Sequence, residues 1–129
     1  ECRVDVKTAY DMARKEIPKL LQAGNDVLLD ATNAYPEKRI GMINIGKPFA
    51  SEVICIWMDT PKELCLARHE ERLARMIANK EDIHRYENQA KPIADIIVDY
   101  CDALRDHPPN LLEGFNQIIR IKPSEIQEL

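Results

Sequence analysis

The sequence predicts an α/β fold, a parallel sheet of about three strands with flanking helices. Short apolar runs alternate with longer segments of helical periodicity, an alternation typical of β-α-β units. The runs near residues 27 and 53 are apolar at consecutive positions, as in strands buried on both faces of a parallel sheet. With 129 residues, the chain has the length of one domain with a modest core.

The composition excludes several classes of protein. A formal net charge of −4 argues against a protein that coats nucleic acid electrostatically. No segment has the length and hydropathy of a membrane span. The four cysteines form no C-x-x-C pair, which disfavours a zinc or redox motif and favours a reducing, cytoplasmic interior. The first residue is Glu1, so we expect the chain to be the later part of a longer protein.

The first element is an amphipathic helix. Apolar residues recur at helical spacing from Val6 to Leu21, and Gly24 stands where a left-handed residue would end the helix. Pro18 has no amide hydrogen for the bond to the Arg14 carbonyl, so we expect a kink there or a break into two segments.

The run from Val27 to Ala31 predicts the first strand, which brings Asp30 to the edge of the sheet where open α/β folds bind ligands. A carboxylate at that edge can hold Mg²⁺, directly or through water, beside nucleotide phosphates. Alternatively, Asp30 caps the next loop together with Thr32 and Asn33, through bonds to backbone amides. The sequence leaves both interpretations open.

Pro36 predicts the start of a second helix, with Ile40 and Ile43 facing inward. Residues 41–48 have the spacing of a phosphate-binding P-loop up to its lysine, but Pro48 stands where Ser or Thr would hold magnesium. The segment also follows a helix, whereas a P-loop follows a strand. We therefore interpret it as a chance match.

Residues 53–58 predict the second strand, apolar on both faces. Thr60, Pro61 and Glu63 then have the pattern of an N-cap, a first helical residue and a capping box, so a third helix should run to about Ile77. This helix follows the strand directly.

Residues 78–91 are polar and charged, which predicts an exposed segment. The clearest helical periodicity of the chain follows, from Ile93 to Leu104. Residues 117–121 predict the third strand, and Pro123 begins a terminal turn or short helix.

Three arginines, Arg68, Arg72 and Arg75, are spaced i, i+4 and i+7 on the third helix. Their guanidinium groups repel one another unless an anion or acidic side chains lie among them. Arg85 could join them from the following segment. The alternative is a solvated face with local ion pairs such as Glu71 with Arg75, the more common situation for charged helices.

Several segments together resemble P-loop kinases of the polynucleotide-kinase type, an AAA-like family of ATP-binding kinases. The segments are Leu28-Leu29-Asp30-Ala31-Thr32-Asn33, Met58-Asp59-Thr60-Pro61 with Arg68 and Arg72 downstream, and Glu113-Gly114-Phe115 before the last strand. They occur in the family's order, and the resemblance extends from about Ala9 to Ile121.

The resemblance implies transfer of the γ-phosphoryl group of ATP, with Mg²⁺, to a hydroxyl of a polynucleotide or a small molecule. It places Asp30 at the metal, and Asp30, Thr32, Asn33 and Arg75 at the nucleotide. Arg68 and Arg72 would be catalytic, with residues 73–91 as a lid. The family's P-loop precedes this region and is not within the 129 residues, so we expect the chain by itself to bind ATP poorly and to be inactive.

Two alternatives stay open: an interaction module without a P-loop, and a small-molecule or toxin-like kinase of the same fold. In the family, a further strand lies between those that begin here at Val27 and Val53. We therefore expect these two strands to pair directly or to be completed by a second chain, because unpaired edges favour association into homo-oligomers.

Overall fold

A computed structural model describes residues 5–87 and 91–126. The elements are α1 (Val6–Gln22), α2 (Pro36–Gly46), β1 (Ile54–Met58), α3 (Lys62–Ala78), α4 (Ile83–Glu87), α5 (Ile93–Asp106), a 3-10 turn (Leu111–Glu113), β2 (Gln117–Ile121) and α6 (Pro123–Ile126). Strands β1 and β2 form a two-stranded parallel sheet flanked by helices. The predicted α/β class is confirmed, with two strands in place of three.

The chain divides into two compact units. The first contains residues up to 55 together with 109–119, and the second contains residues 56–108 together with those from 120 onward. In the first unit, α2 packs against α1 and the 3-10 turn, and in the second, α3 packs against α4 and α5. None of the helices within the described residues is long and apolar enough to cross a membrane.

Helix α1 begins and ends where the sequence predicts. Asp5 caps it by accepting a bond from the Thr8 amide at 2.9 Å, and this bond lowers the pKa of the Asp5 carboxyl. Gly24 follows the helix with a φ of +85°. The helix continues through Pro18, so the predicted break does not occur. Burial of the preceding Ile17 offsets the single lost hydrogen bond, since most helix stability in proteins comes from packing.

The predicted strand at Val27–Ala31 is wrong. These residues lie outside any strand, with Leu28 81% exposed. Strand formation requires a neighbour for the backbone groups, and in the described part of the chain β1 pairs with β2 and not with this segment. The predicted direct pairing of residues 27–31 with β1 therefore does not occur in the described part of the chain. Completion of the sheet by a strand of a second chain stays a prediction.

Helix α2 buries Arg39, Ile43 and Gly46, a stripe at i, i+4 and i+7. Ile43 faces inward as predicted, but Ile40 is 37% exposed, because one residue beyond Arg39 the side chain has rotated by about 100°. The P-loop-like residues 41–46 belong to this helix. They therefore form no phosphate-binding loop, as the sequence indicates.

Strand β1 is covered on one face only. Cys55 and Trp57 are half-buried, whereas Ile54, Ile56 and Met58 are about half exposed. The prediction of burial on both faces is wrong, because a run that is apolar at every position does not reveal how many layers cover it.

The third helix begins at Lys62, and Thr60 makes no capping bond to it. The Thr60 carbonyl instead accepts a contact from Cys65 Sγ at 3.8 Å. Within the segment 78–91, for which the sequence predicts exposure and no helix, α4 forms because Ile83 and Tyr86, three residues apart, both lie on one side of a short helix that packs against α3. The predictions of α5, β2 and the final short helix are confirmed.

Candidate functional site

The arginine face of α3, formed by Arg68, Arg72 and Arg75, is exposed. Among the described residues, none of the three forms an ion pair with a carboxylate, and the alternative pair between Glu71 and Arg75 is not present. One helix face therefore presents three guanidinium groups that no acid of residues 5–87 and 91–126 neutralises. Their catalytic or binding roles stay predictions.

Arg72 Nη1 donates to the hydroxyl of Tyr86 on α4 at 3.3 Å. The same hydroxyl lies 3.3 Å from Nδ1 of His69, a residue only 6% exposed. His69 Nε2 lies 3.6 Å from a carboxylate oxygen of Glu87. Helical periodicity does not group these residues, because it does not predict α4.

Asp30 and Thr32 are exposed in the first unit, and the described residues provide no side-chain hydrogen bond to either. Asn33 has a φ of +44°, and its Oδ1 is buried without a hydrogen-bond partner in the described part. The capping alternative for Asp30 is thus not seen. Among the described residues, no group of three or more His, Cys, Asp or Glu side chains is arranged to hold a metal ion. A single exposed carboxylate still fits Mg²⁺, which keeps several waters and takes its other ligands from phosphates.

A buried ion pair between Arg39 and Glu113 lies next to the segment that carries Asp30 and was not predicted from the sequence. Arg39 Nε and Nη2 donate to the two carboxylate oxygens of Glu113, at 2.9 and 2.6 Å. Arg39 Nη1 also donates to the carbonyl oxygens of Asn33 and Ala34, both at 3.1 Å. The two charged side chains are 2% and 6% exposed. Their ion pair fixes the end of the segment that carries Asp30.

A signal for this pair exists in the sequence, since Arg39 precedes the buried Ile43 by one helical turn and therefore shares its inward face. A charged residue there requires a buried partner. Burial also raises the pKa of the nearby Cys55 thiol, and the charges of Arg39 and Glu113 act on it in opposite directions.

In the second unit, a cleft of about 440 Å³ lies at the carboxyl ends of β1 and β2. Its lining combines residues that follow the two strands: Asp59, Pro61, Leu64, Lys122, Pro123 and Ser124. Asp59 accepts from Arg120 Nε at 2.7 Å and Nη2 at 2.5 Å, and the guanidinium carbon lies 4.7 Å from the centre of the Trp57 ring. One wall of the cleft is therefore fixed by an ion pair.

Comparison with known families gives a match that covers most of the chain. A family model described as AAA domain matches residues 3–93, which is most of the chain. A search of curated proteins finds no match. The matched residues include the segment around Asp30, α2, β1 and the arginine face of α3. On this match, the chain belongs to the AAA domain family, a nucleotide-binding family with the P-loop NTPase-like fold.

Proposed function

We propose that the chain is part of an ATP-dependent kinase domain that transfers the γ-phosphoryl group to a hydroxyl. The observation that carries the proposal is the arginine face of α3, whose guanidinium groups have no carboxylate partner among the described residues. In a family of the nucleotide-binding type, the anion best matched to such a face is a phosphate.

The geometry of the face supports contact with more than one phosphate group. From Arg68 to Arg75 the helix rises by about 10 Å at roughly 1.5 Å per residue. Arginine gives bidentate bonds to phosphate oxygens, and catalysis of phosphoryl transfer depends on cations placed around the oxygens that gain charge. Arg68 and Arg72 are assigned to the transferred group, and Arg75 to the nucleotide.

Mg²⁺ would be held by Asp30, with Thr32 and Asn33 next to the nucleotide phosphates. When bound, the ion would neutralise phosphate charge and fix the orientation of the γ-phosphoryl group. The contribution of the protein is to hold the Asp30 segment in place, and the bonds from Arg39 to the Asn33 and Ala34 carbonyls do this.

The cleft at the carboxyl ends of β1 and β2 is assigned to the nucleotide base. Open α/β sheets bind ligands at this edge, and Pro61, Leu64 and Pro123 offer apolar surface to an aromatic ring. The acceptor is a polynucleotide or a small molecule with a hydroxyl group, and the net charge of −4 favours the small molecule. The free thiols of Cys55, Cys65 and Cys101 support a cytoplasmic location.

The test is a transfer assay on the full-length protein with ATP labelled at the γ-phosphate and Mg²⁺. The acceptors are an oligonucleotide with a 5′-hydroxyl, nucleosides and small polyols. Arg72→Ala should lower kcat by roughly a hundredfold or more, the scale for losing one preorganised donor to developing charge. The matched control, Arg14→Ala, removes an exposed arginine of α1 that pairs with Asp11 and should leave kcat unchanged.

Two results would contradict the proposal. One is the absence of transfer to every acceptor by the full-length protein. The other is an Arg72→Ala variant with the turnover of the parent, which would show that the arginine face is an ordinary solvated surface.

A further inference from the structure

Tyr86 connects the arginine face of α3 to the short helix α4. Its hydroxyl lies within 3.3 Å of both Arg72 Nη1 and His69 Nδ1. We propose that Tyr86 is a positioning residue, which holds the guanidinium of Arg72 in the orientation needed at the phosphoryl group, and that His69 holds Tyr86. This inference rests on the proposed kinase function.

His69 supports Tyr86 from the buried side. It precedes Arg72 by three residues on α3, so both side chains lie on the same side of the helix. The rings of His69 and Tyr86 are 6.0 Å apart between centroids and tilted by 32°. Because the His69 side chain is only 6% exposed, its ring has little freedom to move and gives Tyr86 a fixed neighbour.

The hydrogen-bonding roles of these groups form one consistent chain. A guanidinium only donates, so Arg72 Nη1 donates to a lone pair of the Tyr86 oxygen. The hydroxyl hydrogen of Tyr86 is then free to bond His69 Nδ1 in the tautomer that carries its ring hydrogen on Nε2. In that tautomer the Nε2–H group lies on the side of the Glu87 carboxylate, whose oxygen is 3.6 Å from Nε2. The carboxylate favours that tautomer.

This contact distinguishes Arg72 from the other two arginines of the face. In the described part of the chain, no side-chain hydrogen bond holds the guanidinium of Arg68 or Arg75. An unrestrained arginine samples many rotamers, and it loses this conformational entropy when it binds a phosphoryl group in one of them. The Tyr86 hydroxyl restricts Arg72 before substrate arrives, which is preorganisation of a cation for developing charge.

The experiment compares Tyr86→Phe with the parent in the full-length protein, labelled with ¹⁵N-arginine. The measurement is the heteronuclear NOE of the Arg72 Nε–H group, which reports nanosecond motion of the side chain. We expect a decrease in Tyr86→Phe toward the value of Arg75, together with a roughly tenfold lower kcat, the factor for about one lost hydrogen bond. KM for ATP should change by less than about threefold, since the contact acts in the transition state.

The matched control is Tyr10→Phe, which removes a hydroxyl on α1 that has no hydrogen-bond partner among the described residues. It should change neither the NOE nor kcat. The double variant Tyr86→Phe/Arg72→Ala should be no slower than Arg72→Ala alone, because Tyr86 acts through Arg72.

The outcomes separate this inference from the proposed function. An unchanged Arg72 NOE in Tyr86→Phe, with a large loss of turnover in Arg72→Ala, overturns the positioning role alone. Full turnover in Arg72→Ala overturns the proposed function and the catalytic purpose of the contact, whatever the NOE shows. Additive losses in the double variant would assign Tyr86 a structural role in packing α4, and would also overturn the inference.

Discussion

Replacement of Arg39 by Ala tests the ion pair that the sequence did not predict. Arg39 forms a two-pronged contact with Glu113 and two bonds to the carbonyls of Asn33 and Ala34. The substitution leaves the Glu113 carboxylate, only 6% exposed, without its cation, and it leaves two carbonyl oxygens without their donor. We therefore expect a large loss of stability.

The magnitude follows from the burial of both partners. Removal of one member of a buried ion pair costs about 3–5 kcal/mol, because the remaining charge stays desolvated. Domains of this size have about 5–15 kcal/mol of total stability, so Arg39→Ala should lose a large part of it. At roughly 3–5 °C per kcal/mol for this chain length, the Tm should fall by about 9–25 °C.

The measurement is the free energy of unfolding in urea, with Arg105→Ala as the matched control. Arg105 pairs with Asp102 and Asp106 on the surface, where its side chain is 64% exposed, and solvent screening leaves such pairs little effect on stability. In the double variant Arg39→Met/Glu113→Leu, the part of the loss that comes from the unpaired carboxylate should be recovered, since apolar residues often replace a buried pair without cost. The part that comes from the Asn33 and Ala34 carbonyls should remain, because Met offers them no donor. A loss below about 1 kcal/mol in Arg39→Ala would refute the argument.

Two further predictions concern Gly114 and Cys101. Gly114 has a φ of +121°, and a Cβ there would lie 3.0 Å from Ile43 Cγ2. Gly114→Ala should therefore lower the free energy of unfolding in urea by about 1–3 kcal/mol. The control, Gly41→Ala, adds a Cβ to a helix position with open space around it and should not destabilise the protein. Burial, and to a smaller extent the neighbouring Cys65 thiol, raises the pKa of the Cys101 thiol to about 11. Alkylation of Cys101, followed by mass spectrometry, should therefore accelerate as pH rises from 9 to 11, and the stability that depends on its neutral thiol should fall over the same range. A rate that levels off near pH 9 would contradict this.

The helices were predictable because their signals are local. The stripe from Val6 to Leu21 and the one from Ile93 to Leu104 each fix a helix axis and a buried face through residues within two turns of one another. The strand predicted from Val27 to Ala31 could not be tested by local signals alone, since a strand needs a neighbouring strand that its own residues do not specify. Strand β2 was predicted correctly because its apolar run does find a neighbour, β1.

In the candidate site, too, features set by local spacing were predictable and contacts between distant residues were not. The arginine face of α3 was predictable from spacing alone, because positions i, i+4 and i+7 share a helix face whatever surrounds it. The pair of Arg39 with Glu113 joins residues 74 positions apart, and the contact of Arg72 with Tyr86 depends on a five-residue helix that the polar composition of its segment concealed. Contacts of this kind depend on tertiary packing, which a single sequence does not specify.

The Arg39 interactions also explain what the family-like segments do in this chain. The end of Asp-Ala-Thr-Asn is held through the Asn33 carbonyl, and the glutamate of Glu-Gly-Phe is the partner of the same guanidinium. Gly114 follows at a φ that favours glycine, against Ile43. Two segments that resemble the kinases are thus joined by one buried arginine, and their first role is to fix the backbone that presents Asp30. In the proposed function the chemistry depends on groups that those segments do not contain, above all the arginine face of α3, so a relative could retain both segments and this scaffold while losing all three arginines.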